Sequence, residues 1–424
     1  MPTEQTVEKS ELANGLVVVT DPMPHVRSVA VGIWLRHGSR REPAELNGIS
    51  HFIEHMLFKG TERRSAEELA READRIGGML DAFTSKEMVC VNTRVLDEHL
   101  PEAFDILSDM VSSPRFPQEE IAREKSVISE EIKMAHDNPE DLIHEMFSQN
   151  FWDKKHALGR PILGTKATVG RFQRKTLQEW FTRWYAPNQI VITAAGNVTH
   201  AQMMELADKH FAGRKRSVGG PAEGKPTARP KITIRRKPDL GQVHICLGVP
   251  AFAVADDRRY AVSILNNLLG GGMSSRLFQN IRERQGLAYA VFSEINTYKD
   301  AGVFSVYGAT ALEKTPKLVK SVIAEFHELT DNLVTNEELQ RAKDHIKGAL
   351  LMSLESTSAR MSQMARQYLY YGRFLTADEM IAQLNAVTRE DVREVARAFF
   401  AGSEVSAAML GPTDGFRLKR SDLN

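Results

Sequence analysis

The chain has 424 residues, of which 42% are hydrophobic and 26% charged, as is typical of a soluble globular protein with about two to four domains. Basic and acidic residues both number 55, so the formal net charge is zero. This balance argues against nucleic acid as a partner. No apolar run reaches the roughly 18 residues of a transmembrane helix, so no membrane partner is expected either.

The two cysteines, Cys90 and Cys246, each stand within an alternating apolar run. This setting predicts buried small side chains and no disulfide. Residues 1–12 contain three glutamates and lack both the apolar core of a signal peptide and the arginines of a transit peptide. A reducing, cytoplasmic location is therefore expected.

The first half of the chain alternates short β-branched runs with amphipathic segments. Asn14-Gly15 predicts a hairpin turn, and Ser65 is a typical helix cap. Strands are predicted at 28–35, 79–85 and 88–95, and helices at 44–58, 97–113 and 117–136. This order predicts an α+β protein in which helices pack on a mainly antiparallel sheet.

The predicted helix 44–58 contains His51-Phe-Ile-Glu-His55, an H-x-x-E-H sequence that inverts the more common H-E-x-x-H of zinc peptidases. His51 and His55 are four residues apart and so share one helix face. With one carboxylate they would form a catalytic zinc set, and Glu54 could then act on the water in the fourth position. A surface helix with two solvated histidines has the same pattern, so a third ligand is needed.

The predicted helix 117–136 has an unusual apolar seam. Ile121, Ile128 and Ile132 define the seam, but it also contains Glu124 and Glu131. A carboxylate on a face that packs inward needs a partner, because an unpaired buried charge is costly. A metal ion and a buried salt bridge both meet that need.

Residues 213–230 are rich in glycine, proline and charge and predict a linker. The predicted organisation is a catalytic domain at 1–216, a linker at 217–230 and a non-catalytic domain at 231–424. Beyond the linker the order of elements recurs, and Pro117–Ile128 aligns with Thr335–Ile346 at an offset of 218 residues (335 − 117). A period of this length indicates a domain duplication.

The duplication allows the two copies to be compared. Glu124 and Glu131 align with Ala342 and Ala349, and the counterpart of the histidine helix, around 263–269, contains no histidine. A structural salt bridge has no reason to disappear together with a distant pair of histidines. The joint loss therefore favours a metal site shared by His51, His55 and Glu131.

On these motifs the chain resembles the M16 family of zinc metallopeptidases, the pitrilysin-like inverzincins. The resemblance covers nearly the whole chain and is greatest to the M16B branch of the mitochondrial processing peptidase β subunit and its bacterial relatives. It is carried by His51–Thr61, by the spacing of Glu124 and Glu131, and by the segment Gly270–Phe278. It implies two duplicated α/β-sandwich domains of the LuxS/MPP-like metallohydrolase fold.

The resemblance also implies roles for residues. One zinc ion per chain would be bound by His51, His55 and Glu131, with Glu54 as general base and the zinc-bound water as nucleophile. Glu124 would orient a ligating histidine. Arg282 and Tyr289 match an Arg–Tyr pair, seven residues apart, that donates to the substrate carbonyl. A surface arginine and a core tyrosine remain the alternative for these two.

Substrate contacts are implied along the strand 79–85, at Asp81, Ala82 and Phe83. The family commonly has Asn where this chain has Asp81, and an ionised Asp cannot donate a hydrogen bond, which puts that contact in doubt. Asp141 and Glu145 match two acidic residues that hold an arginine of the substrate. An acidic, solvated helix face would look the same.

The expected function is that of a zinc metalloendopeptidase acting on extended peptides or presequence-like polypeptides. One alternative is a non-catalytic scaffold of the same family. Another is a closed zinc site, for which His136 and His144 are the nearest candidates for a fourth ligand. The expected partner is a second copy of the chain in a clamshell homodimer, or an inactive homologue in a heterodimer.

Overall fold

The structure is a computed structural model that describes residues 7–220 and 223–423; residues 1–6, 221–222 and 424, including part of the predicted linker, lie outside the described residues. The strands are β1 Glu8–Glu11, β2 Val17–Pro22, β3 Ser28–Leu35, β4 Met79–Thr84, β5 Val89–Leu96, β6 Ile190–Gly196, β7 Ile232–Arg236, β8 Val243–Ala251, β9 Val291–Thr297, β10 Gly302–Thr310 and β11 Ser406–Gly411.

The α-helices of the first half are α1 Ile49–Leu57, α2 Ala66–Arg75, α3 Leu100–Ser112, α4 Gln118–Asp137, α5 Pro139–Phe151, α6 Lys166–Arg171, α7 Arg174–Trp184 and α8 His200–Phe211. Those of the second half are α9 Arg259–Gly270, α10 Thr315–Asp331, α11 Asn336–Ser353, α12 Thr357–Tyr371, α13 Ala377–Ala386 and α14 Arg389–Phe400. None of the described helices combines the length and apolar character needed to cross a membrane.

The strands form two sheets of similar design. One has six strands in the order β1-β2-β6-β3-β5-β4, and the other has five in the order β7-β11-β8-β10-β9. Neighbouring strands are antiparallel except for β2–β6 and β7–β11, which are parallel. The α+β class with mainly antiparallel sheets is therefore confirmed.

Each sheet belongs to one of two compact units. Unit 1 consists of residues 1–133, 160–223 and 351–376, and unit 2 of residues 134–159, 224–350 and 377–424. These units do not coincide with the contiguous boundaries 1–216, 217–230 and 231–424 expected from the sequence. Segments 134–159 and 351–376 are each assigned to the unit formed mainly by the opposite half of the chain.

The packing of β3 gives the physical reason for this exchange. Alternate residues point to opposite faces of a strand, and both faces of β3 are apolar. Val29, Val31 and Ile33 join the core beneath α1 and α3. On the other face, Trp34 packs in a cluster with Met361 and Met364 of α12. A sheet that is apolar on both faces needs two covers, and α12 supplies the second one for unit 1.

Unit 2 is covered in the same way by α5. Ile143, Phe147 and Phe151 of α5 pack with Cys246 of β8 and Leu410 of β11. A Cβ atom placed on Gly248 would lie 2.6 Å from the Phe147 ring, so the strand and the helix are in close contact. Cys246 and Cys90 are both buried and free, as predicted.

The helix predicted at 44–58 is shorter in the structure. Ala44–Leu46 is a single 3-10 turn, and α1 begins at Ile49. The chain turns between them at Gly48, which has a φ of +93°. A Cβ atom on Gly48 would lie 2.7 Å from the Leu163 oxygen and 2.7 Å from the Gly164 Cα. Only glycine can adopt this positive φ and also leave room for the neighbouring main chain without strain.

We therefore expect Gly48→Ala to lower the free energy of unfolding by about 1–3 kcal/mol, because the new methyl group meets main-chain atoms at a left-handed residue. Urea unfolding followed by circular dichroism measures this loss. The matched control is Gly272→Ala, at a position with no heavy atom within 4 Å of the added Cβ. Equal stability of the two variants would contradict this account of the turn.

Candidate metal and peptidase site

Helix α1 carries the two histidines of the motif on one face. The opposite face is held in the core by Phe52, Ile53 and Met56, which are fully buried. The imidazole rings of His51 and His55 are 4.6 Å apart between centroids, as expected for residues one helical turn apart. The packing of the apolar face thus determines where the two rings point.

Helix α4 brings a carboxylate to the same place. Glu131 Oε2 lies 3.7 Å from His51 Nε2 and 3.7 Å from His55 Nε2. These are the only three residues of the described chain whose His, Cys, Asp or Glu ligand atoms cluster closely enough for a metal ion. The structure therefore brings together the three residues predicted from the sequence as ligands.

The geometry of this group fits a metal ion better than it fits hydrogen bonding. A separation of 3.7 Å is too long for a hydrogen bond, and Glu131 Oε2 is buried without a hydrogen-bond partner. Two atoms each about 2.1 Å from a tetrahedral zinc ion lie about 3.4 Å apart. Two imidazoles and one carboxylate are also a donor set that zinc prefers.

The two histidines have different electrostatic surroundings. Burial, with a smaller contribution from His55, lowers the pKa of His51 to about 4. His51 is therefore neutral near pH 7, which is the form that binds metals. Burial also disfavours the charged form of His55, but the hydrogen bond and the charge of Glu124 outweigh burial and raise its pKa.

Glu124 links His55 to Lys59. Glu124 Oε2 is 2.9 Å from His55 Nδ1, and Lys59 Nζ donates to Glu124 Oε1 at 2.7 Å. Burial favours the protonated form of Glu124, but the hydrogen bonds from His55 and Lys59 dominate and lower its pKa. An ionised carboxylate only accepts, so His55 donates through Nδ1 and presents Nε2 to the metal group.

Glu54 of α1 lies beside this group and faces Thr84, the last residue of strand β4. The Thr84 hydroxyl donates to Glu54 Oε2 at 2.5 Å. Burial raises the pKa of Glu54, and the Thr84 hydrogen bond opposes that shift. Sequence reasoning gave neither Thr84 nor Lys59 a role. Lys59 stands four residues after His55, just beyond the end of α1 at Leu57, and a basic residue this close to the motif is a signal that could have identified it.

Strand β4 is at the edge of the six-stranded sheet. It pairs with β5 on one side through Asp81 opposite Asn92 and Phe83 opposite Cys90. Asp81 and Phe83 are exposed and Ala82 is half-buried. Phe83 packs edge-on against Trp34, with ring centroids 5.7 Å apart. The free side of an edge strand offers main-chain groups for pairing with another chain.

The other predicted site residues belong to unit 2. The Arg282 guanidinium lies 4.6 Å from the centroid of the Tyr289 ring, and Tyr289 is 79% exposed. The alternative of a core tyrosine is therefore wrong. Asp141 and Glu145 lie one turn apart on α5, where they accept hydrogen bonds from Asn138 and Gln149. The catalytic and binding roles of all four stay predictions.

The two histidines considered as a fourth ligand have other partners. His144 Nδ1 is 3.2 Å from Glu294, and its ring is tilted against the Tyr307 ring at 5.4 Å. His136 Nε2 is 3.7 Å from Glu145. Neither joins the group formed by His51, His55 and Glu131 in the described part of the chain.

Comparison with known proteins identifies the family. Residues 17–166 match the family described as "Insulinase (Peptidase family M16)", and residues 171–346 match "Peptidase M16 inactive domain". The chain is 40% identical to the "Uncharacterized zinc protease YmxG" of Bacillus subtilis, over 96% of this chain and 98% of that protein. It is 37% identical to the "Uncharacterized zinc protease SCO5738" of Streptomyces coelicolor, over 96% and 90%.

Solved structures agree with the fold. A protease from Helicobacter pylori superposes with a TM-score of 0.88 at 24% identity, covering 96% of this chain and all of that one. A peptidase M16 inactive domain from Pseudomonas fluorescens superposes with a TM-score of 0.90 at 21% identity, covering 96% and 98%. The fold is that of two-domain M16 peptidases. The chain belongs to peptidase family M16, and its named relatives are zinc proteases.

Because Glu124 fixes the His55 ring, we expect Glu124→Ala to weaken Zn²⁺ binding about 10–100-fold. The fold should persist, because Ala342 is buried at the equivalent position of the second copy. Competition with a chromophoric chelator measures the affinity. Glu119→Ala, which removes an exposed carboxylate from the same helix, is the control. An unchanged affinity in the Glu124 variant would refute this role.

The His144–Glu294 pair should make stability depend on pH. Burial opposes both charges, but their mutual hydrogen bond raises the pKa of His144 and lowers that of Glu294. The His144 contribution is complete below about pH 6.5 and is lost as pH rises through its folded pKa. The Glu294 contribution is present above about pH 4.5 and is lost as pH falls through its folded pKa.

The stabilisation by this pair is therefore expected to be larger near pH 5.5 than near pH 8.5. Glu294→Gln should destabilise the protein more at the lower pH, as measured by urea unfolding of both proteins at the two pH values. Glu313→Gln, at an exposed position, is the control. A loss of stability that is equal at both pH values would show that the charge of His144 is not involved.

Proposed function

We propose that this protein is a zinc-dependent metalloendopeptidase that hydrolyses extended peptides. The observation that carries the proposal is the convergence of His51 Nε2, His55 Nε2 and Glu131 Oε2, with the half-buried carboxylate of Glu54 beside them. Three protein ligands are typical of a catalytic zinc site, because the fourth position is left for water or substrate. The names of the relatives support the same class of enzyme.

His51, His55 and Glu131 are the residues that would hold the metal. Bound there, zinc would polarise the substrate carbonyl and lower the pKa of a bound water toward about 7. His51 is neutral and presents Nε2 directly. His55 presents Nε2 because its Nδ1 proton is donated to Glu124, and Lys59 keeps that carboxylate in place.

Glu54 is the proposed general base. Its carboxylate takes a proton from the attacking water while the water oxygen bonds to the carbonyl carbon of the scissile peptide. When the C–N bond breaks, Glu54 returns the proton to the leaving amine. Burial raises the pKa of Glu54, which suits a group that must accept and then release a proton. Thr84 holds the carboxylate in position by its hydrogen bond.

Strand β4 is the proposed docking edge for the substrate. An extended peptide would pair with the free side of Met79–Thr84, and alternate side chains would meet Asp81 and Phe83. An ionised Asp81 can accept from a substrate N–H but cannot donate to its carbonyl. Pairing through main-chain groups selects extended conformation and leaves side-chain preference broad.

Arg282 and Tyr289 of unit 2 are proposed to donate to the carbonyl oxygen during attack, which would stabilise the developing negative charge. Asp141 and Glu145 are proposed to favour a basic side chain near the cleaved bond. The expected pairing with a second copy of the chain or with an inactive homologue stays a prediction. The same holds for one zinc ion per chain and for the cytoplasmic location.

We expect Glu54→Gln to keep its Zn²⁺ and to lose at least about 100-fold in the rate of peptide hydrolysis, because the amide cannot accept the proton. Zinc content is measured by atomic absorption, and cleavage positions are mapped by mass spectrometry of a peptide library with and without a chelator. Glu62→Gln, at a nearby exposed position, is the control. A wild-type rate in the Glu54 variant would refute the mechanism.

The same library separates the enzyme from a non-catalytic scaffold. A zinc-loaded wild-type protein that cleaves no peptide, while still binding extended peptides, would favour the scaffold. Cleavage that a chelator abolishes and Zn²⁺ restores supports the peptidase.

A further inference from the structure

Helix α1 has no N-terminal cap of its own. The residue at its N-cap is Gly48, which has no side chain to accept from the first free N–H groups. A carboxylate from six residues earlier takes this place. Gly48 N donates to Glu42 Oε2 at 2.7 Å, and Ser50 N donates to Glu42 Oε1 at 2.9 Å. Both carboxylate oxygens are therefore bound to the first turn of the helix.

Glu42 is buried, with 3% of its surface exposed. Asn47 Nδ2 also donates to Glu42 Oε2, at 3.1 Å, and donates to the Pro161 oxygen as well. Arg160 donates to the main-chain oxygen of Glu42, and its charge also acts on the Glu42 carboxylate from nearby. The hydrogen bonds to both carboxylate oxygens come from the first turn of α1 and from Asn47 just before it.

The partners of Glu42 indicate its charge state. Burial raises the pKa of Glu42, while the hydrogen bonds from Gly48 and Ser50 oppose that shift. The main-chain N–H groups of Gly48 and Ser50 and the Asn47 amide nitrogen only donate, and a protonated carboxyl would have one oxygen fewer free to accept from them. The ionised form satisfies every contact. A negative charge is also favourable at the positive end of a helix dipole.

The position of this contact matters because Ser50 precedes His51 directly. The same short helix carries both histidines, and its far end is tied to α4 through His55, Glu124 and Lys59. A tilt or a slip at the first turn would move both Nε2 atoms relative to Glu131 Oε2. Displacements of a few tenths of an ångström are significant for ligands that bind zinc at about 2.0–2.2 Å.

We propose that Glu42 is a positioning residue for the metal-binding group. Its buried carboxylate fixes the start of α1 and so sets the direction in which His51 and His55 approach Glu131. The proposal rests on the proposed function only in that the group must bind zinc. It does not require that the protein cleave peptides.

The test is Zn²⁺ affinity, measured by competition with a chromophoric chelator, together with the visible absorption of the Co²⁺-substituted protein. We expect Glu42→Gln to raise the Zn²⁺ dissociation constant about tenfold or more. The Co²⁺ bands should also shift, because the ligand geometry changes. Glu45→Gln, an exposed residue of the same loop, should match the wild type in both measurements.

A purely structural role for Glu42 predicts a different result. Glu42→Gln would then melt at a lower temperature but keep the wild-type dissociation constant and Co²⁺ spectrum, and this outcome would overturn the proposal. A wild-type protein that binds neither Zn²⁺ nor Co²⁺ would instead overturn the proposed function. The two failures are therefore distinguishable.

Asn47→Ala provides a milder variant in case Glu42→Gln does not fold. It removes one hydrogen bond to Glu42 and keeps the charge, so we expect the Zn²⁺ dissociation constant to rise about threefold. An affinity equal to that of the Glu45 control would count against the proposal, because a loosened carboxylate should loosen the start of α1.

Discussion

The candidate site depends on the fixed relation between two helices, α1 and α4. Glu131 reaches the two imidazoles only because α4 crosses close to the histidine face of α1, and Glu124, two turns earlier on α4, forms the second link. The first link is the approach of Glu131 Oε2 to the two Nε2 atoms, and the second is the hydrogen bond between His55 and Glu124. Because both links join the same pair of helices, an error in the position of either helix disturbs the ligands and their support together.

Neighbouring ionisable groups of the site have different charge states because their surroundings differ. Burial keeps His51 neutral and makes the Glu54 carboxylate easier to protonate, whereas Lys59 and His55 keep Glu124 ionised. Neighbouring groups whose surroundings shift their pKa values in opposite directions are typical of acid–base sites. Here the differences arise from the number of hydrogen-bond donors around each carboxylate. Glu54 has the single donor Thr84, and Glu124 has two cationic or imidazole partners.

The duplicated design explains how one half can carry the candidate site while the other keeps only the fold. At the position of Glu124 the second copy has the buried Ala342, an apolar side chain that needs no hydrogen-bond partner. Neither helix therefore buries an unpaired charge at this position. The exchange of α5 and α12 between the two units has a different cause. Each sheet is apolar on both faces, and α12 and α5 cover the faces that would otherwise expose side chains such as Trp34 and Cys246.

The sequence by itself determined the local and periodic features of this protein. The alternation of β3, the spacing of His51 and His55, the apolar seam of α4 and the 218-residue offset between copies predicted the fold class and the candidate ligands. Only the tertiary structure showed that α1 begins at Ile49, that Glu42 binds its first turn, that Thr84 binds Glu54, and that segments 134–159 and 351–376 change units. These contacts join residues without a fixed spacing in the sequence. They depend on which surfaces pack together in the folded chain, and the helical and strand periods of the sequence do not predict that packing.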